Sequence, residues 1–240
     1  VDASFRVDDI WFFNNNSSKT HLSNCELVIM AGGKGTRLQP LTNFIPKVLL
    51  PYKTHTILDE IIHKYESEGV SSVKIITNYM SDKVDQHVLN NEYNLEVTTF
   101  KEEEYLGTAS SLTMIEEEIS DTIILSNCDV LLKSDLSEAI KNHRESNAVL
   151  TVVVFILSNK LSYGAITVDS NGNVNGIHEK PTQVHFINSG IYLINKSCLK
   201  KIPAGTFYHM TDLISDLYKS GESVKIHAIG KDDWMDFGTW

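Results

Sequence analysis

Short apolar runs alternate with longer amphipathic stretches through most of this chain, and this alternation is the feature that most limits its fold. Apolar runs of strand length fall at residues 27–30, 73–77, 95–100, 122–125 and 149–155. Amphipathic stretches of helix length lie between them, at residues 56–68, 82–89, 108–118 and 136–144. Strands that alternate with helices are typical of βαβ units. The sequence therefore predicts an α/β fold with a Rossmann-like, mostly parallel mixed sheet flanked by helices.

The pattern changes after about residue 158 and differs again at the start of the chain. Shorter strand-like pieces separated by turns follow at residues 165–168, 174–179 and 186–193, and we expect them to form a smaller strand-rich extension at the edge of the first sheet. Residues 14–20 are polar and of low complexity, and the apolar residues 10–13 precede them. We predict an N-terminal arm or linker at residues 1–24 and one domain at residues 25–240.

The charge and the cysteines limit the partners and the compartment. The formal net charge is -10, whereas proteins that bind nucleic acid without regard to sequence usually carry a basic face. No apolar run approaches the ~20 residues that span a bilayer. Cys25, Cys128 and Cys198 lack the spacing of a zinc site, so we expect buried, reduced thiols in a cytoplasmic protein. Neither nucleic acid nor a membrane is an expected partner.

A glycine-rich loop follows the first predicted strand directly, and residues 31–51 read AGGKGTRLQPLTNFIPKVLLP. Gly32, Gly33 and Gly35 allow backbone N–H groups to approach an anion that a Cβ atom would keep away. The same loop brings three cations to an otherwise acidic chain: Lys34, Arg37 and Lys47. Because ligands of open α/β sheets bind at the carboxyl ends of the strands, the loop is predicted to bind a polyphosphate.

Two common phosphate-binding motifs do not fit this loop. A Walker A loop has Ser or Thr after its Gly-Lys pair, but Gly35 follows Lys34. A dinucleotide fingerprint has a glycine three places after Gly35, where Leu38 stands. The loop instead resembles the signature GGxGTRLxPLTxxxPKxLxP of the sugar-1-phosphate nucleotidyltransferases (NDP-sugar pyrophosphorylases) and matches it at every fixed position.

Further short motifs follow in the order of that family. They are residues 106–109 (LGTA), 127–129 (NCD), 163–165 (YGA), 179–181 (EKP), 188–190 (NSG) and 234–238 (WMDFG). The resemblance covers about residues 25–240. It implies an enzyme that transfers a nucleotidyl group from a nucleoside triphosphate to a sugar 1-phosphate, by in-line attack on the α-phosphorus with the help of Mg²⁺. The products would be an NDP-sugar and pyrophosphate.

The resemblance also assigns roles to single residues. Arg37 would stabilise the departing pyrophosphate, Lys47 would hold the phosphates, and Lys180 would neutralise the sugar phosphate. The expected nucleotide-binding residues are Ala31, Gly32, Gly33, Gly35, Thr36, Glu102, Gly107 and Thr108. The expected sugar-binding residues are Gly164, Glu179 and Asn188. Asp129 and Asp236 would hold the Mg²⁺, a hard cation that prefers carboxylate and phosphate oxygens. Taken singly, Asp129 could instead cap a helix and Asp236 could belong to a turn.

Residues 101–105 lie just before Gly107, where relatives contact the nucleotide base, and thymidylyl- and uridylyltransferases commonly place Gln in this region. A carboxylate only accepts hydrogen bonds, so it suits the N1–H and N2–H₂ donors of guanine. Uracil and thymine offer one donor between two acceptors. We therefore expect GTP, with Glu102 as the base-reading residue and the mannose- or heptose-type guanylyltransferases as the most similar branch. A solvated acidic loop is the alternative.

Other functions stay open at this point. A catalytically silent, nucleotide-sugar-binding regulatory subunit would tend to lose the loop arginine or the metal carboxylates, which this chain keeps. A metal-dependent glycosyltransferase would need a D-x-D motif, and residues 127–129 lack its first carboxylate. Residues 209–214 resemble a stretch of relatives that can follow a pair of CBS modules, so an upstream regulatory domain is expected. The apolar residues 10–13 suggest docking on a neighbouring domain, on the main body or on a partner chain, which includes a homo-oligomer. Mannose, heptose and amino-sugar 1-phosphates all fit the motifs.

Overall fold

The computed structural model of the protein describes residue 22 and residues 25–238. The predicted arm, and with it the expected link to a regulatory domain, therefore lies outside the described residues except for Leu22. Leu22 is buried, and its N–H donates to the carbonyl oxygen of Glu68. The packed body thus includes this one residue of the segment that we predict as an arm.

Strands and helices alternate along the first half of the chain, as predicted. The strands are β1 (Glu26–Ala31), β2 (Pro51–Tyr52), β3 (His55–Thr56), β4 (Ser72–Thr77), β5 (Glu96–Lys101), β6 (Thr122–Asn127), β7 (Val130–Leu132), β8 (Leu150–Lys160), β9 (Ala165–Val168), β10 (Val174–His178), β11 (Thr182–Asn195), β12 (Val224–Ile229) and β13 (Trp234–Asp236). The α-helices are α1 (Ile57–Glu68), α2 (Ser81–Asn90), α3 (Ser137–Glu145) and α4 (Met210–Lys219). Short 3₁₀ helices lie at Thr36–Leu38, Leu41–Asn43, Lys47–Leu49, Ser110–Glu118, Lys196–Lys201 and Lys231–Asp233.

The central sheet of the described residues has seven strands, in the order β12-β8-β11-β6-β1-β4-β5. β1 runs parallel to β4 and β6, β4 runs parallel to β5, and β8 runs parallel to β12. β11 is antiparallel to both of its neighbours, β6 and β8. The predicted α/β class and the mostly parallel mixed sheet are confirmed.

The second half of the chain differs from the prediction in where its strands lie. We expected a strand-rich extension beside the first sheet, but β11 lies inside that sheet and β12 forms its edge. The reason is the continuous buried stretch at residues 189–194 of β11, which is typical of a strand covered on both faces. The β9–β10 hairpin does form a separate small antiparallel sheet, so it accounts for the expected extension.

Both faces of the sheet are covered by apolar side chains, because successive side chains of a strand point to opposite faces. On β1, Leu27 and Ile29 pack in one core layer and Val28 and Met30 in the other. The first layer contains the buried side of α1, and the second contains the buried side of α4. These two layers fix β1, and therefore the position of the loop that follows it. Among the described helices, none has the length and apolar composition that crossing a membrane requires.

The segment predicted as a helix at residues 108–118 is a 3₁₀ helix over Ser110–Glu118. Its hydroxyl groups bond to the backbone nearby: Ser110 Oγ donates to the carbonyl oxygen of Thr206 at 2.6 Å, and Thr113 Oγ1 to that of Ser110 at 2.7 Å. Side chains of this kind compete with the regular α-helical pattern. The chain therefore stays in tight turns here, and these turns bring residues 106–111 against the segment before α4.

Candidate active site

An open cleft with a volume of about 260 Å³ lies where β1, β5 and β6 end. The carboxyl ends of these strands meet at one edge of the sheet, which is the usual ligand position in open α/β folds. The lining residues are Met30, Gly32, Gly33, Gly35, Thr36, Arg37, Lys47, Glu102, Tyr105, Thr108, Asn127, Cys128, Asp129 and Gly238. The cleft thus brings together most of the residues predicted to bind the nucleotide, two of the three predicted catalytic cations and one predicted metal ligand.

Two glycines of the loop have different surroundings. Gly35 has φ +60°, and a Cβ atom there would lie 2.9 Å from Thr42 Cγ2 and 3.1 Å from Lys47 Cβ. Thr42 Oγ1 also donates to the carbonyl oxygen of Gly35 at 2.9 Å, so this position is packed from within. A Cβ atom at Gly33 would meet nothing within 4 Å. Gly35 therefore shapes the loop, whereas Gly33 leaves space on the side that faces a ligand.

The cations of the site differ in exposure and partners. Lys47 is buried and forms an ion pair with Asp129. Arg37 is exposed, and a Cβ atom at Gly238 would lie 3.0 Å from its Nη2 atom, so the loop meets the C-terminal segment of the described chain. Lys180 is exposed in the turn between β10 and β11, with φ +47°, and it does not line the cleft. The structure therefore brings Arg37 and Lys47 together and leaves Lys180 on the hairpin side.

Asp129 and Asp236 come from segments that are paired through their backbones. Asp236 on β13 is the register partner of Val130 on β7, and the N–H of Phe237 donates to the carbonyl oxygen of Asp129 at 2.8 Å. Asp236 Oδ1 accepts the N–H of Gly238 at 2.5 Å. The two aspartates are 107 positions apart in sequence (236 − 129), yet one antiparallel ladder holds them beside each other.

The donor chemistry of these two carboxylates fits a hard divalent cation. Within residues 25–238, Asp129 Oδ1 and Asp236 Oδ2 have no hydrogen-bond or ion-pair partner. The described residues contain no cluster of three or more His, Cys, Asp or Glu side chains that could hold a metal by themselves. Mg²⁺ typically takes one or two carboxylates and completes its shell with water and substrate phosphates. The pair could therefore hold such an ion together with a phosphorylated ligand.

Glu102 is the buried acid of the stretch 101–105, while Glu103 and Glu104 are exposed. Its Oε1 atom accepts hydrogen bonds from the N–H of Leu106 at 3.2 Å and the hydroxyl of Ser111 at 2.5 Å. Its Oε2 atom is buried and has no partner among the described residues. A Cβ atom at Gly32 would lie 3.4 Å from this Oε2 atom, so the free oxygen is next to the glycine loop. A buried acceptor without a donor is costly unless a ligand supplies one.

The LGTA segment is fixed by the residues that lead into α4. Gly107 has φ +92°, and a Cβ atom there would lie 2.6 Å from the carbonyl oxygen of Tyr208. The side chain of Thr108 accepts the N–H of Met210 at 3.1 Å, and Thr108 itself lines the cleft. Gly107 therefore permits close backbone contact, and it does not line the cleft itself. Ala31, at the end of β1, is likewise buried in the core and not in the cleft lining.

The three residues predicted to bind the sugar lie outside the cleft lining. A Cβ atom at Gly164 would lie 3.0 Å from Glu179 Oε2, so these two residues are adjacent on the β9–β10 side. Asn188 Nδ2 donates to the hydroxyl of Tyr192 at 2.8 Å. Asn188 belongs to the same NSG motif as Gly190, which has φ +82°. A Cβ atom at Gly190 would lie 2.5 Å from Nδ2 of Asn127, so this motif lies next to a residue of the cleft lining.

Five residues that line the cleft have no role predicted from sequence: Met30, Tyr105, Asn127, Cys128 and Gly238. Asn127 and Cys128 lie in the motif NCD, and Gly238 lies in the motif WMDFG. Their closeness in sequence to Asp129 and Asp236 could have predicted that they line the cleft. Cys128 is also one of three cysteines that are free and buried, as predicted. Burial, reinforced by the Asp129 carboxylate, raises the pKa of the Cys128 thiol to about 12. The thiol therefore stays protonated at neutral pH and is unsuited to act as a nucleophile.

Two nucleotidyltransferases are similar to this chain in sequence. The chain is 28% identical over 232 residues to a UTP–glucose-1-phosphate uridylyltransferase of Synechocystis sp., which covers 88% of this chain and 59% of that protein. It is 29% identical over 220 residues to the mannose-1-phosphate guanylyltransferase catalytic subunit beta of Xenopus tropicalis, covering 88% of this chain and 60% of that protein. This chain thus spans about three fifths of the length of these relatives.

A solved structure agrees with the sequence comparisons. The crystal structure of HddC from Yersinia pseudotuberculosis superposes with a TM-score of 0.69 at 26% identity, covering 90% of this chain and 94% of that one. The profile of the family described as nucleotidyl transferase matches residues 26–240. That match includes the glycine loop, both metal-ligand candidates and every other motif found in the sequence. The chain belongs to the nucleotidyl transferase family.

Proposed function

We propose that this chain catalyses nucleotidyl transfer from a nucleoside triphosphate to a sugar 1-phosphate, with release of pyrophosphate. The observation that carries the proposal is the cleft in which the glycine loop, Arg37 and Lys47 face Asp129. Cations and backbone donors suit a triphosphate, and the nearby carboxylates suit its counter-ion. The relatives named above are sugar-1-phosphate nucleotidyltransferases, which agrees with this proposal.

The reaction requires positioning and charge neutralisation more than covalent catalysis. An oxygen of the sugar phosphate forms a bond to the α-phosphorus, and the bond from that phosphorus to the bridging oxygen of the β-phosphate breaks. The electron pair leaves with the pyrophosphate. Arg37 has no ion-pair partner among the described residues, so its guanidinium is available to the departing group. Lys47 lies deeper and would bind the phosphates at the reacting centre, and Lys180 would bind the sugar phosphate.

Asp129 and Asp236 would hold Mg²⁺ at this site. When bound, the ion would neutralise charge on the α-phosphate and fix its orientation. The chain itself brings the two residues together through their backbones, because Asp236 lies on β13 opposite Val130 of β7 and the N–H of Phe237 donates to the carbonyl oxygen of Asp129. Glu179 would accept hydrogen bonds from the sugar hydroxyls, with Gly164 and Asn188 shaping the same pocket.

GTP is the triphosphate that the base side of the cleft supports best. The unpartnered Oε2 atom of Glu102 accepts hydrogen bonds and cannot donate them. Guanine presents two adjacent donors, N1–H and N2–H₂, to such an oxygen. Uracil and thymine would place a carbonyl oxygen against it, and two acceptors repel. The names of the relatives include both uridylyl- and guanylyltransferases, so the base specificity rests on Glu102.

A pyrophosphate-release assay over a matrix of the four nucleoside triphosphates and several sugar 1-phosphates tests this proposal. We expect turnover with GTP to exceed turnover with UTP, dTTP or CTP for the sugar that is accepted. Turnover with UTP above GTP would reject the guanine assignment and leave the transferase activity intact. Binding of nucleotide sugars without any turnover would instead identify a catalytically silent regulatory subunit.

Glu102→Gln sharpens the base test. The N–H of Leu106 and the hydroxyl of Ser111 both donate to Oε1 of Glu102. In the variant, the amide oxygen of Gln would therefore occupy the position of Oε1, and its NH₂ group would face the cleft. A donor in place of an acceptor repels guanine and favours a base carbonyl. We expect the ratio of kcat/KM for GTP over UTP to fall about 100-fold. Glu103→Gln, at an exposed position of the same stretch, should leave the ratio unchanged.

A further inference from the structure

The Glu102 carboxylate is bonded on one oxygen and free on the other. Both protein donors, the N–H of Leu106 and the hydroxyl of Ser111, bind Oε1. The terminal torsion of a Glu side chain is broad, so burial alone does not determine the plane of the carboxylate. The hydroxyl contact is the shorter of the two, at 2.5 Å against 3.2 Å, and Ser111 is 1% exposed.

We propose that Ser111 sets the base selectivity of the nucleotide site by fixing the plane of the Glu102 carboxylate, so that the unpartnered oxygen stays at one position beside the glycine loop. Ser111 is a positioning residue in this scheme, because it acts on the base through Glu102. The inference rests on the proposed function, and it adds a residue that the cleft lining does not include.

The hydroxyl of Ser111 has one proton and two acceptors within reach. Glu102 Oε1 lies at 2.5 Å, and the carbonyl oxygen of Gly107 lies at 2.9 Å. A hydrogen bond to an ionised acceptor is shorter and about twice as strong as one between neutral groups. The hydroxyl therefore donates its hydrogen bond to the carboxylate. The carbonyl of Gly107 keeps the backbone N–H of Ser111 as a donor, at 3.4 Å. The geometry therefore favours one hydrogen-bond arrangement, in which the hydroxyl of Ser111 donates to Glu102 and the N–H of Ser111 donates to Gly107.

Loss of this hydroxyl would act on selectivity more than on folding. With only the 3.2 Å bond from Leu106 left, the plane of the carboxylate is held by one long hydrogen bond. The carboxylate can then take several orientations about its terminal torsion, and an acceptor is no longer fixed where guanine presents N1–H and N2–H₂. A base with fewer donors loses less from this change than guanine does. Selectivity between such bases is therefore the property that Ser111 controls.

A purely structural role for Ser111 predicts a different result, and the chain contains a matched control. Ser110 is the preceding residue, is 4% exposed and also donates a short hydrogen bond, at 2.6 Å, to the carbonyl oxygen of Thr206. Ser110→Ala and Ser111→Ala thus remove the same group from neighbouring buried positions. The two differ in that Ser111 bonds to Glu102.

The experiment compares GTP with ITP, whose base lacks the N2 amino group. For the full chain and both variants we would measure kcat/KM with the accepted sugar phosphate, the Kd of each nucleotide by calorimetry, and the melting temperature. We expect Ser111→Ala to lower kcat/KM for GTP about tenfold or more and to bring the GTP/ITP ratio towards one. Ser110→Ala should keep the wild-type ratio, and Ser111→Thr, which restores the hydroxyl, should recover it.

The results separate this inference from the function on which it rests. A wild-type ratio in Ser111→Ala, or an equal change of the ratio in Ser110→Ala, would overturn the role of Ser111. A wild-type enzyme that prefers UTP to GTP would reject the guanine assignment itself. The Kd values keep the test valid if a variant loses turnover.

Discussion

The ammonium group of Lys47 forms an ion pair with the carboxylate of Asp129, although 82 positions of the chain separate the two residues. Lys47 comes from the loop after β1 and Asp129 follows β6, and β1 and β6 are neighbours in the sheet. Their side chains are 8% and 19% exposed, so each charge is the main partner of the other. The carboxylate that Lys47 occupies is also one of the two proposed ligands of Mg²⁺. Lys47 and a metal ion should therefore compete for Asp129 when no nucleotide is present.

Lys47→Met tests this competition. Removal of the ammonium leaves Asp129 without its cation, so we expect Mn²⁺ without nucleotide to bind several-fold more tightly, while turnover is lost. Electron paramagnetic resonance measures free Mn²⁺ directly and does not depend on activity. Lys34→Met, at an exposed lysine of the same loop, should leave the Mn²⁺ affinity at the wild-type value. Weaker Mn²⁺ binding in Lys47→Met would contradict the competition.

Gly33→Ala and Gly35→Ala separate the two roles of the glycine loop. At Gly35 the new Cβ atom would have φ +60° and contacts of 2.9 and 3.1 Å, so we expect a loss of stability of about 1–3 kcal/mol. At Gly33 nothing lies within 4 Å, so the melting temperature should not change. If the proposed phosphate site is right, the methyl group would nevertheless occupy space needed by the phosphates, and calorimetry should show weaker triphosphate binding. Equal thermal effects of the two substitutions would contradict the distinction.

Arg37→Ala should remove turnover without a cost in stability. The guanidinium is exposed and has no ion pair in residues 25–238, so the fold gains little from it. An arginine that binds a departing phosphate group contributes through charge in the transition state, and we expect kcat/KM to fall at least 100-fold. Lys34→Ala removes an exposed charge from the same loop and should change kcat/KM by less than about tenfold. Wild-type turnover in Arg37→Ala would remove the role assigned to this residue.

The parts of the site that could be predicted from sequence are those that one local motif defines. The glycine loop directly follows a strand, so its residues are expected at the carboxyl end of that strand. Gly33, Arg37 and Lys47 do line the cleft there. Asp129 follows from the same logic at the end of β6. Glu102 was selected from the donors and acceptors of the base edge, and it does line the cleft, while its base-reading role stays a prediction.

What the sequence did not predict depends on contacts between distant segments. β11 lies between β6 and β8 because its buried run needs cover on both faces, and an isolated run of this kind does not show which strands will supply it. The bond of Ser111 to Glu102 arises because the 3₁₀ turns after Gly107 bring the two residues together, whereas the pattern there favoured a helix. Tyr105 also lines the cleft, but the stretch 101–105 drew attention for its acids, and nothing in the sequence distinguished the tyrosine beside them.

A buried carboxylate outside the cleft lining, Asp59, should contribute to the acid stability of the fold. Asp59 lies in the first turn of α1. Burial would raise its pKa, but hydrogen bonds from Thr56, His87 and Tyr93 outweigh burial and lower the pKa from 3.8 to about 2. The folded protein thus keeps Asp59 ionised at pH values where the unfolded chain takes up a proton. The resulting stabilisation, about 2 kcal/mol, is complete above about pH 4 and is lost as the pH falls towards 2.

Asp59→Asn removes this pH dependence while keeping the size of the side chain. We expect the free energy of unfolding of the variant to lie about 2 kcal/mol or more below that of the wild type at pH 6, with the difference shrinking as the pH falls from 4 to 2. Urea unfolding at a series of pH values measures both curves. Asp82→Asn is the control, because its side chain is 85% exposed and its contact with Lys101 is a surface ion pair, which is worth little. The curve of Asp82→Asn should stay parallel to that of the wild type. A parallel curve for Asp59→Asn would show that the hydrogen bonds around α1 do not lower the pKa of Asp59.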